Sequence, residues 1–479
     1  MRLRRRSRRD ARGGGRGVTL AGDSIGIVGA GPTGALLGIL LRRRGMAVTL
    51  YESRPDPRGN TGEAGRSINL ALADRGMHAL ARAGLLDRIR PLVIPMRGRF
   101  VHQADGSSGL QPYGRLPNEV IYSISRRGLN NVLLDAAADA GVDIRFEHRL
   151  EGADFAAATA RVLDVRRGES FEIAMRPLLA ADGAGSLVRR CLAAQGLIEA
   201  VESPLEHGYK ELSIPAGAGA AGGARLEREA LHIWPRGGYM LIALPNQDGS
   251  FTATLFLPLE GPSSFASLSA PPAIDAFLTA NFPDARALMP DCVEEFQSHP
   301  TGFLGTVHAR TWAAAGSAAL IGDAAHAIVP FHGQGMNCCF EDCLEFDACL
   351  EVASSWESLF SDFYARRKPN ADAIAEMALE NYLEMRERVA DPHFRLQHSL
   401  ALELERRYPR RFIPRYSMVM FHHEISYRTA QQRGRIQAQL LAELTAGARS
   451  LADVDYALAE RRVESSLPKL ADLSSVMKL

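Results

Sequence analysis

The chain has 479 residues, 46% hydrophobic and 23% charged, with a formal net charge of +1. That is an ordinary globular composition for about two to four structural units, and it excludes a polycation made for nucleic acid. No apolar run approaches the ~18–20 residues of a membrane helix, and six Cys in this length make no disulfide framework.

The near-neutral total hides an asymmetry. Residues 1–17 hold eight Arg and one Asp, and the remainder has 48 basic and 54 acidic residues. Residues 1–23 read as a disordered basic tail without apolar period. Ser7-Arg8-Arg9 resembles a twin-arginine export motif. Gly13–Gly17 and Asp23 interrupt the apolar stretch that export requires, so a passive extension is expected, with no nucleic-acid partner.

Ile25–Val28 reads as a short buried strand, followed by Gly29-Ala30-Gly31-Pro32-Thr33-Gly34. Ala35–Arg44 then reads as a helix ended by Gly45, and Ala47–Tyr51 as a second strand closing on Glu52. Gly29 permits the tight turn, Gly31 lets the backbone approach a pyrophosphate, and Gly34 lets helix and strand pack closely. Thr33 belongs to the same loop. The helix N-terminus offers free N–H groups to phosphate. Glu52 lies 18 residues after Gly34, where a carboxylate accepts from ribose hydroxyls. An acid here favours FAD or NAD over NADP as the ligand.

Leu178–Ala181 followed by Asp182-Gly183-Ala184-Gly185-Ser186 and Leu187–Arg190 repeats the strand–turn–helix order. Residues 207–260 carry strand patterns at Tyr209–Ile214, Ala230–Pro235, Tyr239–Pro245 and Thr252–Leu259, with a turn at Asn246–Ser250. Together they read as an antiparallel sheet over a substrate pocket. Pro215–Arg225 reads as a flexible low-complexity loop.

Ala318–Gly322 leads as a strand into Asp323, and Pro330–Asn337 is a second glycine loop opening a helix over Cys338–Glu351. A second loop of this kind has no use in an NAD dehydrogenase, but a flavin has one. Asp323 suits the ribityl chain, and the loop of Gly335, Met336 and Asn337 suits the ring. Cys338, Cys339, Cys343 and Cys349 match no zinc or haem spacing, so no metal is expected and the thiols read as reduced. Residues 346–460 read as mostly helical, with breaks at Pro369, Pro392, Pro409 and Pro414.

The motifs GAGPTG, ADGAGSLVR and GDAAHAIVPFHGQGMN, in this order, resemble those of the FAD-dependent aromatic hydroxylases of the para-hydroxybenzoate hydroxylase type. Further stretches resemble the kynurenine 3-monooxygenase family over about residues 24–430. They are Gly65–Leu72, Ile94–Arg99, Pro112–Gly114, Ser123–Arg126, Leu231–Arg236, Asn381–Arg386 and Phe412–Tyr416. The resemblance implies that L-kynurenine, NADPH and O2 give 3-hydroxykynurenine through a flavin C4a-hydroperoxide. FAD would be bound, and NADPH would be a transient co-substrate without its own Rossmann domain.

By the same resemblance, Arg99, Tyr113, Asn381 and Tyr416 line the polar end of the substrate site. Arg99 offers a bidentate fork to a carboxylate, and the two Tyr offer hydroxyls. Asn381, Glu384 and Met385 are spaced to share one helix face. Phe256 and Phe331 are candidates for the ring slot, with core packing as the competing reading. His332 either meets the substrate carbonyl or shapes the loop. Arg66 and Arg126 are expected to contact FAD, and Tyr51, Glu52, Ser53 and Arg54 to surround the adenosine ribose. Ala71, Leu150 and Leu187 fall at family positions that contact FAD mainly through backbone.

The expected fold is α/β. A discontinuous Rossmann-like FAD-binding domain spans residues 24–84, 117–200 and 306–350, and a substrate-domain sheet spans 85–116 and 201–305. A helical C-terminal region, 351–479, contributes to the pocket. Membrane-bound relatives carry an apolar C-terminal anchor, whereas residues 460–479 are polar here, so a soluble, cytoplasmic, bacterial-type enzyme is expected, with a homodimer left open. The alternatives are a related flavin hydroxylase acting on another aromatic acid and a non-hydroxylating FAD reductase or redox protein.

Overall fold

The structure is a computed structural model that describes residues 20, 22–59, 69–175, 177–217, 223–385 and 391–470. The basic tail over residues 1–17, Arg66 and residues 471–479 lie outside the described residues.

Five strands form a parallel sheet in the order Ala318–Leu320, Leu178–Ala180, Ser24–Val28, Ala47–Tyr51 and Asp143–Arg145, with Ala313–Ala314 antiparallel at one edge. The strands are short and apolar because helices cover both faces. Helix Pro32–Arg43 starts with Pro in its first turn and buries Leu36, Leu37 and Leu41 completely. Its Gly38 lies against Val142, which leads into the edge strand.

The second large sheet has seven strands. Their order is Gly302–Ala309, Ala200–Ile214, Phe251–Pro258, Met240–Pro245, Ala230–Pro235, Gly98–His102 and Ser108–Pro112. The expectation of an antiparallel sheet needs one correction: Ala230–Pro235 and Gly98–His102 run parallel. These two strands come from distant parts of the chain, and a long crossover rather than a hairpin joins them. The chain leaves this sheet only after Ala309, slightly later than the expected boundary at residue 306.

Strand alternation gives this sheet two different faces. Trp234, Leu241, Phe251 and Leu255 pack under helices Pro271–Asn281 and Cys292–Ser298. The opposite face looks toward the glycine loop at 330–335. A small antiparallel sheet of Asn69–Leu72, Ile121–Ser125 and Ile94–Met96 lies between the two large ones.

The C-terminal region is helical, but Pro369 does not break it. Trp356–Leu383 is one helix of 28 residues with Pro369 inside. Pro in a helix interior costs roughly 3 kcal/mol. Anchors on both sides outweigh that cost: Arg367 bonds to Asp342 and Glu341, and Ile374 and Met377 are fully buried. Asn370 Nδ2 also donates to the Arg366 carbonyl beside the proline (3.0 Å). Pro392 and Pro414 behave as ordinary starts, of helices Pro392–Arg407 and Arg415–Phe421.

Candidate active site

One cavity of about 430 Å³ runs between the glycine turns of the parallel sheet and the inner face of the seven-stranded sheet. Thr33, Ala71, Arg126, Asp323, Gly335 and Met336 belong to its lining around the glycine turns, Arg99, Tyr113, His332 and Tyr416 form a second group in it, and Met385, Phe256 and Phe331 also line it.

The first glycine turn leaves no room for a side chain at two of its three glycines. A Cβ on Gly29 (φ +99°) would lie 2.4 Å from Ala181 O, and one on Gly34 would lie 2.0 Å from Gly29 O. A Cβ on Gly31 would meet nothing within 4 Å, so open space lies above the turn. No side chain caps helix Pro32–Arg43 or helix Gly335–Val352, and neither has an acid in its first turn. Two positive helix ends therefore border one region.

Glu52 is buried at the end of its strand and accepts from Ala30 N (3.0 Å) and from Arg54 N (3.0 Å) and Nε (2.9 Å). Burial works to raise its pKa, but the bonds from Arg54 and Ala30 outweigh it and hold the carboxylate below the usual range. Tyr51 and Ser53 flank it, and Ser53 Oγ donates to Glu52 (3.3 Å). His148 N donates to Glu52 O (2.8 Å), which sets Leu150 two residues further along the neighbouring strand. Leu187 N is taken by Asp182 Oδ2 (2.8 Å).

Asp323 follows Gly322 (φ +63°), where a Cβ would lie 2.9 Å from Cys339 Sγ. Asn337 does not face the cavity but clamps it. Its Nδ2 donates to Ala71 O (2.9 Å) and Gly333 O (2.8 Å), and its Oδ1 accepts from Ala73 N (2.9 Å). Arg189, buried in the second motif, donates to Ala324 O (2.9 Å) and Ala184 O (2.5 Å) and so ties the second motif to the third. This donor set and this open turn fit a dinucleotide pyrophosphate with a flavin ring beyond it.

In the second group, the Arg99 guanidinium carbon lies 4.8 Å from the Tyr416 ring centre and 5.9 Å from that of Tyr113. The two phenol rings stack at 5.6 Å, and His332 stacks on Tyr416 at 5.3 Å. Glu384 approaches Arg99 only to 3.9 Å, and Arg99 Nε is buried without a hydrogen-bond partner among the described residues. Burial opposes the Arg99 charge, but the facing phenols outweigh it and raise its pKa. Burial pushes the Tyr113 phenol well above its ordinary value and the Tyr416 phenol up as well, so both remain donors. Burial, reinforced by Arg415 and Arg99, lowers His332 to about 3, so its ring is neutral at physiological pH. Its buried Nδ1 has no partner among the described residues.

Asn381 stands one layer behind the cavity. Its Nδ2 donates to Phe331 O (2.7 Å) and to Met385 Sδ (3.3 Å), which positions two residues that do line it. The α-helix ends at Leu383 and Glu384 and Met385 continue it as a π turn, so Asn381 still reaches Met385 one turn on, and Glu384 approaches Arg99. Phe331 packs between Phe256 (5.1 Å) and Tyr382 (3.9 Å).

Several lining residues were not singled out from sequence: Tyr209, Glu211, Met240, Ile242, Leu244 and Thr254. Each shares its strand's inward parity, so the period-2 pattern held the signal once the inner face was known.

The family described as FAD binding domain matches residues 23–208. Among solved structures, a tetrameric form of 2-methyl-3-hydroxypyridine-5-carboxylic acid oxygenase is similar in fold, with TM-score 0.62 and 21% identity over 78% of this chain and 94% of that one. The p-nitrophenol 4-monooxygenase of Pseudomonas putida is similar at TM-score 0.62 and 20% identity, covering 80% and 94%. The matched family and the cofactor side of the cavity together define an FAD-binding protein. The kynurenine 3-monooxygenase of Stenotrophomonas maltophilia is 48% identical over 453 residues, 95% of this chain and 99% of that protein. The enzyme of the same name from Myxococcus xanthus is 47% identical over 446 residues, covering 93% and 96%. The chain belongs to the kynurenine 3-monooxygenase family.

Proposed function

We propose that the protein hydroxylates L-kynurenine to 3-hydroxy-L-kynurenine with NADPH and O2. The observation that carries this reading is a buried Arg99, flanked by two protonated phenols, in the same cavity as the flavin-binding turns. Arg99 and the hydroxyls of Tyr113 and Tyr416 hold the substrate carboxylate. Phe256 and Phe331 border an apolar slot for the aminobenzoyl ring, and neutral His332 offers a polar nitrogen near its carbonyl.

Thr33, Arg126, Asp323, Gly335 and Met336 hold FAD, which when bound takes hydride from NADPH and activates O2 for transfer to the ring. NADPH visits transiently, because the parallel sheet with its glycine turn is used by FAD. An amino-substituted ring is already nucleophilic, so no strong base is needed. The remaining task of the residues is to orient the ring and exclude water. Asn381 serves the substrate side by fixing Phe331 and Met385.

The test compares NADPH oxidation without effector, with L-kynurenine and with para-hydroxybenzoate, measuring hydroxylated product and H2O2 together. Kynurenine alone is expected to accelerate oxidation and to yield product in near-equal amount. Product from the simpler acid would move the assignment to another aromatic hydroxylase. Acceleration that yields only peroxide would indicate a non-hydroxylating flavoprotein.

A further inference from the structure

Arg75 lies in the first turn of helix Asp74–Arg82 in the FAD-binding unit, with its side chain 1% exposed. It does not line the cavity, yet its guanidinium is fully committed. Nε donates to Val419 O (3.0 Å), and Nη2 donates to Met418 O (3.3 Å), His422 O (3.3 Å) and, at short range, Ile425 O. Met418 and Val419 sit near the end of helix Arg415–Phe421, where carbonyls lack intrahelical partners. That helix carries Tyr416 and Met420 into the cavity.

On its other side, Arg75 Nη1 bonds to Glu341 of helix Gly335–Val352, which opens at the glycine loop. The Tyr427 ring lies 4.0 Å from the Arg75 guanidinium carbon. Tyr427 Oη donates to Gln334 Oε1 (2.7 Å), and Gln334 Nε2 donates to Met420 Sδ (2.9 Å). Gln334 is fully buried between Gly333 and Gly335, both of which line the cavity. One buried cation thus joins the flavin side to the substrate helix.

The turn bearing Asp323 is held by Asp342, which joins Arg75 only at two removes, through Arg367 (3.1 Å from Glu341) and Glu341. Asp342 accepts from Gly322 N (3.0 Å), His326 Nε2 (2.6 Å) and Arg367 Nε (2.7 Å). Arg75 itself makes none of these bonds.

We propose that Arg75 is a positioning residue that fixes helix Arg415–Phe421, and with it Tyr416, in register with the glycine loop. Only a planar fork with several donors reaches this spread of carbonyls while pairing with Glu341; a lysine point charge does not. The proposal deepens the kynurenine reading and rests on it for its substrate readout.

The test uses FAD-loaded Arg75→Lys and Tyr427→Phe. The second variant removes only the hydroxyl that reaches Gln334, and it decides the matter by itself should Arg75→Lys not accumulate as folded protein. In Arg75→Lys the kynurenine Kd, read from the flavin absorbance change, is expected to rise about tenfold or more while the FAD Kd stays within about twofold. Peroxide released per NADPH rises in parallel. Tyr427→Phe shows the same split, with the kynurenine Kd up about two- to fivefold. Amide exchange quickens over residues 415–427 and not over 320–329. Unchanged kynurenine affinity in the folded variants, or FAD affinity falling in step with it, would overturn the proposal. If the wild type ignores kynurenine, the substrate reading fails, and the exchange comparison still decides: quickening confined to 415–427 supports the role, and uniform or absent change refutes it.

Discussion

Arg99 is a buried cation whose best carboxylate neighbour, Glu384, stays at 3.9 Å, while the phenols of Tyr113 and Tyr416 stack beside it. Under the proposed function this charge receives the substrate carboxylate. Arg99→Ala is expected to weaken kynurenine binding by about 100-fold, roughly 3 kcal/mol for a lost charge-assisted fork, with FAD retained. Titration of the flavin spectrum checks both. His332, lowered to about 3, stays uncharged from pH 5 upward, so the kynurenine Kd should show no inflection from this ring between about pH 5 and 9. An inflection near the ordinary histidine value that vanishes in His332→Gln would contradict its buried, neutral state. At this scale the polar residues were legible through the family resemblance, since Arg99 alone reads as a solvated surface charge. Asn381 was only half legible. Its motif position marks it as important, but spacing cannot show that its amide is spent on the Phe331 carbonyl rather than on substrate.

Among the elements, the first glycine turn leaves least room for change. A Cβ on Gly34 falls 2.0 Å from Gly29 O, so Gly34→Ala must move the helix that meets the pyrophosphate. Overpacking of this kind costs about 1–3 kcal/mol, and FAD content after purification should fall sharply while far-UV circular dichroism changes little.

Helix Pro392–Arg407 holds a different liability. Burial, then the charge of Glu119, pushes Glu405 up to about 7 against an ordinary 4.5, with Arg115 only partly offsetting them. The folded state therefore binds this proton more tightly than the unfolded chain, and stability falls as pH rises from about 4.5 to 7. Glu405→Gln should raise Tm at pH 8 and leave it nearly unchanged at pH 4.5, with up to about 3 kcal/mol at stake. An equal gain at both pH values would remove the proton from the explanation. Strands and glycine loops were legible here from period and punctuation. The unbroken helix through Pro369 was not, because the anchors that sustain it, Arg367 with Asp342 and Glu341, are side-chain pairs with the preceding helix that hydrophobic period does not show.

At the scale of the whole molecule, the chain passes between two sheets so that pieces hundreds of residues apart close one cavity. Thr33, Arg99, Asp323 and Tyr416 meet there. Each was visible alone in the sequence, but their meeting depends on strand register, which alternating patterns do not specify across such distances. The inner faces of Met240–Pro245 and Phe251–Pro258 illustrate this, since their inward residues became identifiable only once the sheet had a partner loop. No helix among the described residues is long and apolar enough to cross a membrane. The account turns on oxygen from O2 reaching the ring of a substrate held by its carboxylate at Arg99. Mass spectrometry of the product formed from L-kynurenine, NADPH and ¹⁸O-labelled O2 tests that directly. The expected product is 3-hydroxykynurenine carrying one labelled oxygen. Unmodified kynurenine beside labelled peroxide, or an unlabelled hydroxyl, would contradict it.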